Sequence, residues 1–174
     1  MIGVRRLTWF SLFALSILAG MAAVVQAEPT CKLNPTHLTI CHGSYALCDK
    51  ATCQPIAGTQ NVTCTCPVLT GPAIASLAQL KGSCTPPPGK VYSLFSTPGF
   101  DSLLRCPKGA SHYAQCWNAT CILAPGGKEA ACTCPLCTGS FSTPGGDCNV
   151  ANCSGEILVG SAFPVQGGGG CKGQ

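Results

Sequence analysis

The stretch Val62-Thr63-Cys64-Thr65-Cys66-Pro67-Val68 alternates between two kinds of side chain, and this alternation decides the fold. Successive side chains of an extended chain point to opposite faces, so the valines and cysteines share one face and the threonines share the other. Such a pattern is typical of a half-buried β-strand. Residues 130–136 repeat the pattern less regularly, and we predict a second strand there.

A second copy of this region lies 68 positions further along the chain. Cys64-Thr65-Cys66-Pro67 recurs as Cys132-Thr133-Cys134-Pro135. The same offset relates further pieces: Tyr45-Ala46 and Tyr113-Ala114, Cys48 and Cys116, Ala51-Thr52-Cys53 and Ala119-Thr120-Cys121. Four cysteines in register, together with tyrosine, threonine and proline, indicate an internal repeat. We therefore predict two tandem cysteine-rich repeats, residues 28–100 and residues 101–174.

Each repeat is predicted to contain a β-hairpin. Residues 58–61 and 125–128 have the composition of turns, and residues 45–56 and 113–124 before them read as extended chain. Cys53 and Cys64 lie symmetrically about the first turn. Cys121 and Cys132 lie in the same way about the second. Cysteines that face each other across a hairpin have a separation that suits a disulfide, so we predict one bridge in each hairpin.

Three further elements complete the predicted fold. Residues 90–95 read as a strand that ends the first repeat, and residues 156–159 as its counterpart in the second. Residues 72–81 are predicted to form a helix, because Pro72 suits a first turn, Ile74 and Leu77 share a face, and a glycine follows. The fold class is thus small, disulfide-rich and mainly β, with two tandem hairpin-containing repeats, one short helix and many loops.

All sixteen cysteines are interpreted as structural disulfide partners, because this density in a small chain is typical of a disulfide scaffold. The repeat assigns six cysteines to each half: Cys41, Cys48, Cys53, Cys64, Cys66 and Cys84 to the first, and Cys106, Cys116, Cys121, Cys132, Cys134 and Cys148 to the second. Each set can close three internal bridges. The remaining cysteines can tie down the termini: Cys31, Cys137, Cys153 and Cys171.

The first 27 residues have the features of a signal peptide. Arg5 and Arg6 precede an apolar run at residues 9–19, and small residues at Val25 and Ala27 suit a signal peptidase. Cleavage after Ala27 would leave a chain that is secreted or periplasmic and not stably inserted in a membrane. Two alternatives stay open: residues 7–25 are long enough for an uncleaved membrane anchor, and the arginine pair also suits a twin-arginine signal.

The composition excludes several classes of function. The net charge is +4 and falls to +2 without residues 1–27, too little for a strongly basic nucleic-acid binder. The six acidic residues form no recognisable acid–base pair, and no hydrolase, zinc-protease or phosphate-loop motif is present. The three histidines occupy positions that the repeat does not match: His37, His42 and His112. The sequence therefore predicts no catalytic residue, no metal ligand and no cofactor.

One cluster nevertheless allows a different reading. Cys132-Thr133-Cys134-Pro135-Leu136-Cys137 contains a Cys-x-x-Cys, the spacing with which thiol-disulfide enzymes attack and resolve a mixed disulfide. Its thiolates could also hold a soft metal such as Cu(I) or Zn²⁺. The first repeat has Leu69 in place of Cys137, and the surroundings are rich in glycine and proline. We therefore favour structural bridges over redox or metal chemistry at these three cysteines.

Aromatic side chains offer a possible binding face: Tyr45, Tyr92, Tyr113 and Trp117. In so small a chain, sparse aromatic residues more often fill the core than line a surface. We therefore predict that the two tyrosines matched by the repeat, Tyr45 and Tyr113, are packed in the core beside the bridges of Cys48 and Cys116.

The repeated Tyr-Ala-x-Cys-x4-Cys, at residues 45–53 and 113–121, and the Cys-Thr-Cys that follows it resemble uncharacterised exported cysteine-rich proteins of bacteria. The resemblance covers about 25 residues of each repeat and implies a periplasmic or extracellular compartment, without implying an activity. The sequence as a whole predicts a non-enzymatic exported protein, structural or binding, whose partner is another protein or a component of the cell envelope. The alternative is a thiol-disulfide or soft-metal-handling protein that uses Cys132, Cys134 and Cys137.

Overall fold

Strands dominate the part of the chain that the computed structural model describes, namely residues 31, 37–49, 51–101, 103–106, 112–139, 141–144 and 157–161. The elements follow in the order β1 (Leu38–Ala46), β2 (Thr52–Pro55), β3 (Asn61–Ser76), β4 (Lys90–Tyr92), β5 (Phe95–Ser96), α1 (Thr97–Asp101), β6 (Leu104–Cys106), β7 (Tyr113–Gln115), β8 (Thr120–Leu123), β9 (Glu129–Cys137), β10 (Phe141–Thr143) and β11 (Leu158–Gly160). The predicted class, small, disulfide-rich and mainly β with one short helix, is confirmed.

Some predictions fall outside these residues. They are the signal peptide with its cleavage after Ala27, the start of the strand at 156–159, and the structural roles of Cys148, Cys153 and Cys171. Cys106 is described only as part of the backbone of β6, which pairs with β10 in a small second sheet.

The two alternating stretches form β3 and β9, and these strands pair with each other. β3 is 16 residues long, and its first half runs antiparallel to β9 with Cys64 opposite Cys132. Cys64 and Cys132 are matched by the offset of 68 residues, so the pairing brings together the corresponding positions of the two predicted repeats. Alternate residues of β3 are buried at Val62, Cys64 and Cys66, as the period of two predicts.

The neighbours of β3 and β9 also keep a common register. Tyr45 of β1 lies opposite Leu69 of β3, and 68 positions later Tyr113 of β7 lies opposite Cys137 of β9. The hairpins β2–β3 and β8–β9 likewise place Cys53 opposite Cys64 and Cys121 opposite Cys132. Both matched stretches of sequence therefore pair their strands in the same way.

The predicted helix at residues 72–81 is wrong. Residues 72–76 belong to β3, where Ala73 and Ala75 are fully buried, and residues 77–82 form turns. The whole second half of β3 pairs with β1, from Val68 opposite Ala46 to Ser76 opposite Leu38. This long ladder imposes a period of two on a stretch whose composition also suits a helix, and tertiary pairing overrides such local preferences. The short helix lies instead at α1.

β4 connects the two halves of the sheet. It follows β3 in the sequence but pairs with β8 of the other hairpin, where Val91 lies opposite Cys121. The residue just after it continues this contact, because Ser93 donates its N–H to the carbonyl of Ala119 and its own carbonyl accepts the N–H of Asn118. One segment of the first predicted repeat thus covers the hairpin of the second.

Asn118 is a polar link between the end of β3 and the loop before β8. Its side-chain oxygen accepts the backbone N–H of Ser76 at 3.0 Å, and its amide nitrogen donates to the side chain of Gln79. Its φ is 64°, in the left-handed region that asparagine tolerates better than most residues.

We therefore expect Asn118→Ala to lower the free energy of unfolding by about 2 kcal/mol, through a lost acceptor for a part-buried N–H and through backbone strain. Guanidinium unfolding followed by the fluorescence of Trp117 would measure this. Asn118→Gly is the control, because it relieves the strain and still removes the hydrogen bonds, so it should lose less than the alanine variant. Equal stability of the alanine variant and the parent would contradict the assigned link.

Candidate functional site

The centre of the main core consists largely of sulfur. Eight cysteines form four disulfides there: Cys48–Cys66, Cys53–Cys64, Cys116–Cys134 and Cys121–Cys132. We call these four bridges the sulfur core. Small apolar residues such as Ala46, Val62 and Ala114 pack around them, and no large aromatic ring belongs to this cluster within the described residues.

The two hairpin bridges are the ones predicted from the symmetry of the turns. The Cα atoms of Cys53 and Cys64 are 4.1 Å apart, and those of Cys121 and Cys132 are 4.3 Å apart. Each pair is directly opposed across its hairpin. This confirms both bridges that the sequence predicts.

Two more bridges each join cysteines that the sequence assigns to the same set. Cys41 bonds to Cys84 within the first set of six, and Cys31, from the set assigned to the termini, bonds to Cys137. No cysteine whose side chain is described has a free thiol.

The bridges of the sulfur core are in contact across the two hairpins. The Sγ atom of Cys48 lies 3.5 Å from that of Cys132, and the Sγ atom of Cys116 lies 3.6 Å from that of Cys64. Each contact therefore joins a bridge of the first set to a bridge of the second. The two contacts are equivalent under the offset of 68 residues, because Cys48 corresponds to Cys116 and Cys132 corresponds to Cys64. Sequence reasoning missed them, since nothing local signals which bridges meet.

The three cysteines of the alternative redox or metal cluster are not bonded to one another. Cys132, Cys134 and Cys137 are bonded to Cys121, Cys116 and Cys31, so the Cys-x-x-Cys pair is divided between two bridges. Two other groups of sulfur atoms lie within 4.8 Å of one another: Cys48, Cys66 and Cys132, and Cys64, Cys116 and Cys134. In this structure every one of these sulfurs is bonded in a disulfide, which leaves no thiolate to ligate a metal.

The aromatic residues do not form a binding face. Tyr45, Tyr113 and Trp117 are buried, and only Tyr92 is partly exposed. The ring of Tyr113 stacks on Phe141 with centroids 4.4 Å apart, and Trp117 stacks on Phe95 at 5.5 Å. The predicted burial of the two tyrosines is confirmed, but neither belongs to the cluster that contains Cys48 and Cys116, and Tyr45 packs instead in the cluster of Cys41. All three histidines are exposed.

Burial changes the ionisation of the two buried tyrosines. It raises the pKa of Tyr113 above 10.0, and it does the same for Tyr45, with a smaller contribution from the nearby carboxylate of Asp49. The folded protein therefore favours the neutral form of both tyrosines. Their contribution to the free energy of unfolding is fully present below the tyrosine pKa of the unfolded chain, and it is lost as the pH rises above that value.

We therefore expect the melting temperature to fall as the pH rises above about 10, and Tyr113→Phe to make that fall smaller. Calorimetry at a series of alkaline pH values would measure both. Tyr92→Phe is the control, because it leaves both buried tyrosines in place and should keep the full alkaline loss. An unchanged alkaline loss in Tyr113→Phe would contradict this account.

The chain matches no protein-family model, and comparisons with curated proteins and with solved structures find no similar protein. None of the helices in the described ranges is long and apolar enough to cross a membrane. The fold and the sulfur core therefore carry the functional argument.

Proposed function

We propose that this chain is an exported protein without enzymatic activity, which serves as a disulfide-held structural or binding module outside the cytoplasm. The observation that carries the proposal is the sulfur core, in which four bridges occupy the place where larger domains keep aliphatic and aromatic side chains. Such bridges persist in oxidising compartments and are rare where thiols are kept reduced.

The signal-peptide features of residues 1–27 support the same compartment independently of the fold. The two matching cysteine patterns, with their matching strand registers, support the view that the molecule is made of two repeated halves, residues 28–100 and 101–174. The partner that fits this interpretation is a protein or a component of the envelope, and the small net charge argues against nucleic acid.

The test is to express the whole chain in a bacterium and to analyse the exported material. We expect an N-terminus at Glu28, and no reaction with a maleimide after denaturation without reductant. Leu15→Arg is the control, because a charge in the apolar run should block export and leave the cysteines reduced. Native protein that starts at residue 1 or 2 and carries reactive thiols would overturn the proposal.

A further inference from the structure

The two hairpin bridges differ in one respect, their access to solvent. Seven cysteines of the sulfur core are buried, and Cys53 alone among the eight is partly exposed. Cys121, its counterpart in the repeat, is 0 % exposed. The cause lies in the strand order: β4 pairs with β8 and places Val91 opposite Cys121, whereas β2 has β3 as its only strand partner within the described residues.

We propose that Cys53 is a modification site for low-molecular-weight thiols, and that its modification moves a disulfide from within the hairpins to a position between them. Disulfides exchange when a thiolate attacks one of the two sulfurs and the other leaves. In the Cys53–Cys64 bridge only Cys53 is partly exposed to solvent, because Cys64 is 0 % exposed. The direction of the first attack is therefore fixed by burial.

In the first step the thiolate of the small molecule bonds to Sγ of Cys53, and the Cys53–Cys64 bond breaks. Cys53 then carries a mixed disulfide, and Cys64 is left as a thiolate. One disulfide has replaced another, so no oxidant or reductant is consumed, and the proton of the incoming thiol has gone to solvent.

In the second step the Cys64 thiolate meets the neighbouring bridge. Its sulfur lies 3.6 Å from Sγ of Cys116 and within 4.8 Å of Sγ of Cys134. Rotation of the released Cys64 side chain brings its sulfur onto Cys116. The bond Cys64–Cys116 forms, the bond Cys116–Cys134 breaks, and Cys134 leaves as a thiolate that takes up a proton.

The other half of the sulfur core provides an internal control. Cys132 lies 3.5 Å from Cys48 of the Cys48–Cys66 bridge, so the same second step is equally close there. That route needs an attack on Cys121, which β4 covers. The structure thus contains two matched routes of exchange, of which one is open to solvent.

The experiment uses the whole oxidised protein and reduced glutathione as the probe; the reaction is stopped by unfolding in mildly acidic denaturant that contains N-ethylmaleimide, so that buried thiols are also blocked, and the products are mapped by mass spectrometry without reduction. We expect glutathione on Cys53, maleimide on Cys134 and a new Cys64–Cys116 crosslink. Labelling of Cys53 should exceed that of Cys121 by at least about tenfold, because attack depends on access to the sulfur. Equal labelling of both cysteines would overturn the proposed site.

The second step is tested separately. Glutathione on Cys53 together with maleimide on Cys64 and an intact Cys116–Cys134 bridge would overturn the transfer. The double variant Cys116→Ala/Cys134→Ala should still take glutathione on Cys53 but should show maleimide on Cys64. If circular dichroism shows that this variant is unfolded, the map of the parent protein decides both steps alone.

Discussion

Complete reduction of the native protein is expected to abolish its β-sheet signal in circular dichroism and to shift the fluorescence of Trp117 towards that of a solvent-exposed indole. Trp117 is a suitable reporter because it is buried, stacks on Phe95, and donates its ring N–H to the carbonyl of Ile74 at 2.9 Å. The physical reason for the unfolding is that the centre of the molecule contains bridges and small side chains, which bury little apolar surface once the sulfurs are separated.

The size of the effect follows from the entropy of the unfolded chain. A bridge that closes a loop of a dozen or so residues stabilises the folded state by about 3 kcal/mol, and several such bridges exceed the net stability of an ordinary domain, ~5–15 kcal/mol. The control is the same protein in the same buffer without reductant. A spectrum that stays unchanged while all cysteines become reactive would show that the sulfur core does not hold the fold.

Removal of the covered hairpin bridge by Cys121→Ala/Cys132→Ala is expected to cost more stability than removal of the exposed one by Cys53→Ala/Cys64→Ala. Both bridges have a sequence separation of 11, so the loop-entropy loss is the same in each variant, about 3 kcal/mol. The difference comes from packing, because Cys121 is fully buried under β4 whereas Cys53 is partly exposed. A buried group that is deleted leaves a cavity, which adds about 1 kcal/mol to the loss.

Guanidinium unfolding of the two variants, side by side, measures this difference directly. The matched separation makes each variant the control for the other. If both lose the same free energy, burial by β4 contributes nothing to the stability of the second hairpin, and the packing argument fails.

The sequence was sufficient for the local part of the fold. Alternation placed β3 and β9, and the symmetry of the turns gave the pairs Cys53–Cys64 and Cys121–Cys132, because both depend only on residues close together in the chain. The non-local part could not be read in this way. The composition of residues 72–81 suits a helix, and only the presence of β1 alongside makes residues 72–76 a strand.

The contacts between the bridges are a second example. The cysteine spacing is equally compatible with two separate modules and with a single sheet, so it does not predict that Cys48 meets Cys132 or that Cys116 meets Cys64. Those contacts depend on the antiparallel pairing of β3 with β9, which brings together residues far apart in the sequence. The assignment of β4 to β8, and with it the difference in exposure between Cys53 and Cys121, has the same origin.

The six described bridges are nested: Cys53–Cys64 lies inside Cys48–Cys66, which lies inside Cys41–Cys84; Cys121–Cys132 lies inside Cys116–Cys134; and Cys31–Cys137 encloses them all. No two of them cross along the chain. Oxidation can therefore proceed from each turn outwards. Each bridge that closes brings the next two sulfurs outside it closer together, so the next bridge closes with little further loss of chain entropy. The enclosing bridge closes the longest ring, because Cys31 and Cys137 are 106 residues apart in the sequence.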